Sequence, residues 1–337
     1  MSNFLFFLLL LLCNCSEKQD LKNEKRNLQS PSTESEDYDN IRIDVDTTCI
    51  TLGKNSKAII NKAVEKAKET IQRIVKVKTI KNGIEFEKYG FDYISKLSDN
   101  FISCNLELHT KIADLVIFVR TAQSDEASDS GVPEIKLFLN NNENNRPIVG
   151  IINYFWNTYL NDLDDDSKVE VVYSHFLHEI THILGFNKTI LYNKRLVYKK
   201  SQQMRMNSIE VEKYFYRGKN VIDRAKKYYN YPGLTELEMD DVNGKEASDG
   251  SKIHWSERLL LGEYMTPSFY FSEQIISEFT LDLLKDLGWY EINYFTGGLM
   301  RFGKNRGCDF MNSDCVKQFN DKSLKTTFQN EFCSNAY

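Results

Sequence analysis

Histidine is scarce in this chain, and so are long apolar runs and any surplus of basic residues. Among 337 residues there are five histidines, and 43 Lys and Arg stand against 48 Asp and Glu, which gives a formal net charge of -5. A protein that binds nucleic acid through its phosphates needs a surplus of positive charge, so no nucleic acid partner is predicted. Because histidines are few, any cluster of them is easy to recognise.

The rest of the composition is ordinary for a globular protein. Hydrophobic residues make up 41% of the sequence, charged residues 27% and aromatic residues 12%. These fractions exclude a fibrous or wholly disordered chain. The length suits one large domain or two modest ones, with a sizeable core.

The N-terminus indicates a secretory signal. Residues 4–12 form an apolar run that is too short to cross a bilayer as a helix, and Cys13-Asn14-Cys15 follows with small residues where a signal peptidase cleaves. We predict a signal peptide over residues 1–15; the alternative is a buried N-terminal strand or helix. The mature protein is then secreted, in the lumen of the secretory pathway or at the cell surface. No other stretch approaches ~18 consecutive apolar residues, so no transmembrane span is predicted.

Cysteines are few and odd in number once the signal is removed. The five that remain are Cys49, Cys104, Cys308, Cys315 and Cys333. Disulfides are expected outside the cytosol. At least one thiol is therefore free, bridged to another chain, or missing its partner. A pair between Cys49 and Cys104 is conceivable.

The remaining sequence predicts strands and loops in its first half. Residues 16–40 are polar with little to bury, which predicts a disordered pro-segment or linker. Alternation of apolar and charged residues predicts a strand over 41–46, and continuous apolar runs predict buried strands over 114–119 and 148–152. Residues 123–147 are rich in Asp, Ser, Gly and Asn and are predicted as a loop.

Apolar residues at helical spacing predict three helices. One covers residues 57–75 and another covers 272–287. The clearest covers 169–184, where acidic residues at 164–166 precede it as cap candidates and Gly185 follows it.

The clearest helix carries a metal-binding motif, His178-Glu179-Ile180-Thr181-His182. Residues four apart share one helical face, so His178 and His182 can direct both imidazoles at one ion. Zn²⁺ suits neutral imidazole, and a catalytic site leaves one position open for water. Glu179 can reach that water as a general base without binding the metal. Two histidines make an incomplete site, so a third ligand is needed.

Three histidines remain as candidates for that ligand: His109, His175 and His254. One straight helix rarely wraps three ligands round one ion, so His175 is predicted to be a packed or surface residue. His109 precedes a predicted strand with no motif around it and is also predicted to be structural. His254 differs, because it lies in a distinct segment with Met265-Thr266-Pro267 shortly after it.

Several segments, taken in order, resemble the leishmanolysin family of zinc metalloproteases in the metzincin class. They are His178-Glu179-x-x-His182-x-x-Gly185-Phe186, His254-Trp255 beyond a long insertion, Glu263-Tyr264-Met265-Thr266, Leu287-Gly288-Trp289-Tyr290 and Gly307-Cys308-Asp309-Phe310. Residues 113–119 and 146–153 also look like the family's strands beside the catalytic helix. The likeness runs from about residue 40 to the end, and the joint pattern is far more specific than any one segment.

The resemblance implies a fold and a complete site. The fold class is α/β of the α+β type: a metzincin-like catalytic domain, with a twisted mixed sheet packed on the zinc-binding helix and a helical lower subdomain. His254 is implied as the third ligand, Met265 as the methionine of a turn beneath the metal, and Gly185 as structural support. Many metzincins carry the third histidine three residues after that glycine, where this chain has Lys188, which cannot bind zinc while protonated.

The implied function is that of a zinc-dependent endopeptidase. Protein or peptide substrates are hydrolysed by a metal-activated water, with Glu179 as general base and one Zn²⁺ ion as cofactor. Peripheral association with a cell surface is a further expectation. The competing hypothesis is a catalytically inactive binding or adhesion protein on a truncated metalloprotease scaffold, and another is an incomplete product of a longer gene.

The chain departs from the family mainly at its cysteines. Asn230-Tyr231-Pro232 stands where the family typically has a cysteine that bridges to the equivalent of Cys308. Cys308, Cys315 and Cys333 are therefore expected to lack their usual partners. Asn187-Lys188-Thr189 is a glycosylation sequon, with a plain polar turn as the equally weighted alternative.

We predict three regions after the signal and the polar segment. Residues 41–187 form an N-terminal catalytic subdomain with the zinc helix. Residues 188–300 hold the insertion, the third ligand, the methionine turn and a C-terminal helix. Residues 301–337 are the stub of a truncated Cys-rich C-terminal domain.

Overall fold

A computed structural model describes the chain over residues 38–88, 108–123, 130–133, 146–156, 158–203, 210–240, 253–267, 274–294, 299–312, 316–318 and 324–326. The predicted signal peptide and residues 16–37 of the predicted pro-segment lie outside the described residues. The last three residues of that segment form strand β1 (Tyr38–Asn40). The first strand therefore begins earlier than the alternation over 41–46 predicted.

A four-stranded mixed sheet lies in the N-terminal half of the chain. Its strands are β2 (Ile43–Asp46), β4 (Leu115–Gln123), β5 (Ser130–Pro133) and β6 (Val149–Trp156), in the order β2-β4-β6-β5. Strands β2, β4 and β6 are parallel, and β5 runs antiparallel to β6 at the edge. The predicted mixed α/β fold is confirmed.

Strand β5 corrects the prediction of a loop over 123–147. Its sequence, Ser-Gly-Val-Pro, contains glycine and proline, which are depleted in strands. Pairing with the neighbouring strand β6 outweighs this weak local preference. Proline is tolerated there because β5 is an edge strand.

Two long helices, α1 (Lys54–Ile74) and α2 (Asp165–Leu184), pack against each other, and α2 also packs on β5 and β6. Helix α2 begins one turn before the predicted start because the carboxylate of Asp164 accepts a hydrogen bond from the Ser167 N–H. Contact with the sheet is close at Gly150, where an added Cβ would lie 2.6 Å from the side chain of Ile183. Glycine thus lets the helix approach strand β6.

The chain after α2 forms a second sheet, whereas the sequence predicted only a polar insertion and a helical lower subdomain. Its elements are α3 (Lys188–Asn193), β7 (Val197–Gln203), β8 (Glu210–Tyr216), α4 (Lys219–Tyr229), β9 (Leu237–Asp240) and β10 (His254–Trp255). The four strands are antiparallel in the order β10-β9-β8-β7. Polar residues in β7 and β8 obscured them, because an antiparallel sheet can face water on one side.

The last elements return to the N-terminal half. They are α5 (Glu257–Leu260), α6 (Glu278–Asp286), β11 (Tyr290–Ile292), α7 (Gly307–Asn312), β12 (Val316–Gln318) and β13 (Leu324–Thr326). Strand β3 (Val75–Lys78) pairs antiparallel with both β1 and β11. Helix α6 starts six residues after the predicted Ser272, because the Ser277 hydroxyl caps it by accepting the Phe279 N–H.

One hydrophobic cluster joins the two regions predicted on either side of residue 187. It includes Ile60 of α1, Ile180 of α2, Trp255 of β10 and Leu284 of α6, each at most 1% exposed. Among the described residues, no helix combines the length and apolar character needed to cross a membrane.

The described cysteines, Cys49 and Cys308, are both disulfide-bonded. Cys308 is therefore not a free thiol, although Asn230-Tyr231-Pro232 replaces the cysteine that usually pairs with it in the family. Cys104, Cys315 and Cys333 lie outside the described residues, so the pair between Cys49 and Cys104 stays a prediction.

Candidate metal centre

The imidazole rings of three histidines converge beside helix α2, which carries two of them. The Nε2 atoms of His178 and His182 lie 3.0 Å apart, and the Nε2 atom of His254 lies 3.2 and 3.3 Å from them. The three side chains are 2%, 2% and 4% exposed. Among the described residues, this is the one group of three or more His, Cys, Asp or Glu side chains whose potential ligand atoms all lie within 4.8 Å of one another.

The spacing of the three nitrogens fits a tetrahedral ion. Two nitrogens that each lie about 2.0–2.1 Å from zinc, at a tetrahedral angle, are separated by about 3.3–3.4 Å. The observed separations of 3.0 to 3.3 Å are within a few tenths of an ångström of this value. A small divalent cation therefore has room at the centre.

The protonation of the imidazoles also fits a metal. His178 Nδ1 lies 2.7 Å from the carbonyl oxygen of Tyr264, and His182 Nδ1 lies 2.6 Å from that of Phe186. A carbonyl only accepts, so both Nδ1 atoms donate, and a neutral imidazole then has a lone pair on Nε2. These lone pairs face each other across the centre, an arrangement that a cation stabilises.

Helix α2 and strand β10 supply the three histidines from distant parts of the sequence. His178 and His182 lie one turn apart on α2, whereas His254 pairs with Asp240 of strand β9. The ring of Phe186 packs edge-on against Trp255, with 5.2 Å between ring centroids. This contact joins the end of α2 to the strand that carries His254.

Gly185 ends helix α2 next to the three histidines. Its φ of +126° is strained for other residues, and an added Cβ would lie 2.8 Å from Leu287. The chain reverses there, so the carbonyl oxygen of Phe186 comes back to His182. Lys188, by contrast, begins α3 with its ammonium over the ring of Tyr214.

The methionine turn lies against the same histidines. Residues Glu263–Thr266 form a tight turn, in which the Thr266 N–H and hydroxyl both donate to the Glu263 carbonyl. Met265 is fully buried, and its carbonyl accepts the N–H of Trp255, the residue after His254, at 2.9 Å. The Tyr264 hydroxyl lies 3.1 Å from Thr181 Oγ1 of α2. Burial raises the pKa of Tyr264 far above its usual value.

Glu179 follows His178 on α2 and is 2% exposed.

The other two histidines of the chain, His175 and His109, lie outside the cluster. His175 stands edge-on to the ring of Tyr154 at 6.1 Å, and His109 is exposed.

Sequence reasoning missed Glu263, although it lies in one of the quoted motifs. Its carboxylate is fully buried and accepts hydrogen bonds from Met265, Ser277 and Thr280. Burial raises the pKa of Glu263 to about 7, against the opposing effect of these hydrogen bonds. Spacing along the chain gives no hint of the contact, because residues 277 and 280 approach only in the folded protein.

The leishmanolysin family of M8 peptidases matches residues 56–336 of the chain. This protein belongs to the leishmanolysin family. It is 26% identical to the ciliated left-right organizer metallopeptidase of Danio rerio over 208 residues. These residues make up 59% of this chain and 32% of that protein. A leishmanolysin homolog of Crithidia fasciculata is 29% identical over 178 residues, or 51% of this chain and 24% of the homolog.

Leishmanolysin of Leishmania tropica is 26% identical over 218 residues, which cover 65% of this chain and 30% of that protein. The matches thus span 24% to 32% of the length of these relatives. It is a member of a metallopeptidase family, and the triple-histidine centre described above lies inside the matched region.

Proposed function

We propose that this leishmanolysin family member is a zinc-dependent endopeptidase that hydrolyses peptide bonds of protein substrates. The observation that carries the proposal is the triangle of Nε2 atoms from His178, His182 and His254, with Glu179 on the same helix. These three histidines would hold the ion. Zinc held by them would supply Lewis acidity and would lower the pKa of a bound water to about 7.

Glu179 is proposed as the general base. It lies one residue after His178 and three before His182, so its carboxylate leaves the helix beside the metal-binding face without joining it. The carboxylate takes a proton from the attacking water and delivers it to the amide nitrogen of the leaving peptide. General acid–base catalysis of this kind contributes about 10²- to 10⁴-fold to rate.

The edge strand β5 offers a place for the substrate. Among the described residues it is one of the two outer strands of the mixed sheet, and it packs against α2, which carries Glu179. An extended peptide can add to an open edge through backbone hydrogen bonds. This explains how a protein substrate of varied sequence would be held beside the centre.

The N-terminal sequence supports a location in the secretory pathway, outside the cell or at its surface. Residues 4–12 form the apolar run of a signal peptide. Proteins in that compartment are the proposed substrates.

The test compares two Glu→Gln variants on helix α2. Glu179→Gln should bind one zinc per chain and lose at least about 100-fold of its cleavage of casein. The matched control is Glu170→Gln on the outer face, where the side chain is 62% exposed; it should keep both zinc and activity. A chelator should abolish cleavage by the unsubstituted protein.

Cleavage that survives Glu179→Gln would overturn the mechanism. Zinc binding without hydrolysis of any of several unfolded proteins would instead favour the inactive binding or adhesion protein. The disulfide at Cys308 weakens that alternative, because the cysteine framework is less broken than the sequence implied.

A further inference from the structure

The carboxylate of Glu263 accepts three hydrogen bonds in the protein interior. Oε2 lies 2.5 Å from the Met265 N–H nitrogen, and Oε1 lies 2.8 Å from Ser277 Oγ and 2.5 Å from Thr280 Oγ1. The residue is 0% exposed. Burial of a carboxylate is costly unless such donors replace water.

The directions of these hydrogen bonds are determined by the neighbours. Thr280 Oγ1 accepts the indole N–H of Trp255 at 2.9 Å, and Ser277 Oγ accepts the N–H of Phe279 at 3.2 Å. Each hydroxyl can then give its single proton to Glu263. All three partners are donors, so only the ionised form of the Glu263 side chain satisfies every one of them.

Glu263 is connected in this way to two of the three histidines. The next residue, Tyr264, places its carbonyl oxygen 2.7 Å from His178 Nδ1. The N–H of Trp255, the neighbour of His254, donates to the carbonyl of Met265, and the Trp255 indole reaches Glu263 through Thr280. One carboxylate therefore ties the turn, strand β10 and helix α6 together beside the metal centre.

We propose that Glu263 is a positioning residue of the metal centre, which holds the Tyr264 carbonyl against His178 and strand β10 with His254 in their metal-binding positions. The proposal rests on the proposed function, since it assumes that the three histidines bind zinc. Glu263 is not one of the three side chains whose ligand atoms converge. It acts through the backbone of the turn and through Trp255.

The main test is Glu263→Gln, which keeps the size of the side chain. The amide NH₂ would face a donor, so at least one of the three hydrogen bonds is lost. We expect the zinc Kd, measured by competition with a chromophoric chelator, to rise by about 10- to 100-fold. The visible spectrum of the cobalt-substituted protein should also change, because it reports the arrangement of the ligands.

The matched control is Asp114→Asn. Asp114 is also 0% exposed and accepts backbone and side-chain donors, at 2.6 Å from Ile80 N and 2.9 Å from Arg42 Nε. These partners lie outside the metal centre. The variant should lose stability yet, while folded, keep the zinc Kd and the cobalt spectrum of the unsubstituted protein.

A second variant, Thr280→Val, covers the case in which Glu263→Gln does not fold. It removes one hydroxyl at nearly constant volume, and with it the hydrogen bonds to Glu263 and from Trp255. The zinc Kd should rise by about 2- to 10-fold. Thr70→Val is its control, because the Thr70 hydroxyl donates to the Lys66 carbonyl on helix α1.

The outcomes separate this proposal from the proposed function. Failure of the unsubstituted protein to bind zinc overturns both. If the unsubstituted protein binds zinc and cleaves casein, an unchanged zinc Kd and cobalt spectrum in folded Glu263→Gln, or in Thr280→Val if the first variant does not fold, overturn the positioning role alone. An equal loss of zinc affinity in Asp114→Asn would overturn it too, because the effect would then follow from stability.

Discussion

Two buried carboxylates, Asp114 and Glu263, lie in opposite electrostatic surroundings. Asp114, at the start of the mixed sheet, accepts hydrogen bonds from the Arg42 guanidinium and from the N–H groups of Arg42 and Ile80. Burial alone would raise its pKa, but these hydrogen bonds and the charge of Arg42 lower the pKa of Asp114 below its usual value. Glu263 has only uncharged donors, and burial raises its pKa to about 7.

The comparison distinguishes two roles for a buried carboxylate. The surroundings of Asp114 suit a group that stabilises the fold, whereas those of Glu263 suit a group that fixes the geometry of a site. A buried carboxylate with a cationic partner stays charged and joins two segments of chain. A buried carboxylate without one is costly to ionise. Directional hydrogen bonds to the turn are what Glu263 provides, which fits a role in geometry rather than in stability.

The largest expected effect tests the Asp114 side of this comparison. Asp114→Asn should lower the free energy of unfolding by about 3–4 kcal/mol, the lower part of the range for a broken buried ion pair. The lower part applies because the Arg42 side chain, 36% exposed, keeps contact with water. Urea unfolding at pH 7 measures the change. A loss below about 1 kcal/mol would mean that Asp114 is not a stabilising anchor.

The next effect is a pH dependence of opposite sign at the two carboxylates. Between pH 4.5 and 7, folded protein keeps the proton of Glu263 whereas the unfolded chain releases it. The stability difference between the unsubstituted protein and Glu263→Gln, both free of zinc, should therefore fall as pH rises, by about 1 kcal/mol per pH unit.

Asp114 should show the reverse dependence and serves as the control. Its contribution is fully present above the usual Asp pKa of 3.8 and is lost as pH falls through the lower folded value. The difference between the unsubstituted protein and Asp114→Asn should thus be constant from pH 5 to 7. Parallel slopes for both carboxylates in that range would break the comparison.

The smallest effect concerns Asn187, an uncharged buried acceptor. It is 2% exposed, and its Oδ1 caps α3 by accepting the N–H groups of Thr189 and Ile190. Asn187→Ala should cost about 1 kcal/mol, equally from pH 5 to 7 because no charge is involved. Thermal unfolding across that range measures it. A loss of stability that changes between pH 5 and 7 would contradict the expectation that an uncharged group contributes equally at every pH.

The same burial predicts that the sequon at Asn187 carries no glycan. Protein secreted from eukaryotic cells should keep its mass after endoglycosidase treatment. Thr189→Ala, which removes the sequon but leaves the cap residue, should have the mass expected from its sequence alone. A mass loss on treatment of the unsubstituted protein, absent in Thr189→Ala, would show that the sequon is used.

The sequence predicted those elements that have strong local patterns. Helix α2, with apolar residues at steps of three and four and an acidic cap, appeared within one turn of its predicted start, and the strands at 115 and 149 within one residue. Strands β5, β7 and β8 were missed, because their polar, glycine- or proline-containing sequences become strands only through pairing with neighbours.

The residues of the candidate metal centre differ in how far the sequence predicted them. Helical spacing alone placed His178 and His182 together. His254 came from resemblance to the leishmanolysin family, since nothing in the sequence between His182 and His254, which are 72 positions apart, indicates that strand β10 returns to α2. Glu263 was quoted as part of a motif but given no role, because its partners Ser277 and Thr280 are more than ten residues away.

The sequence by itself determined the helix that directs two imidazoles to one side, the glycine that ends it, and the family to which the chain belongs. These depend on contacts within a few residues or on a pattern that can be read directly. Tertiary structure alone decided that the nitrogens lie 3.0 to 3.3 Å apart, and that the buried carboxylate of Glu263 accepts hydrogen bonds from Met265, Ser277 and Thr280. Hydrogen bonds act over about 3 Å, and only the packed fold brings residues far apart in sequence within that distance.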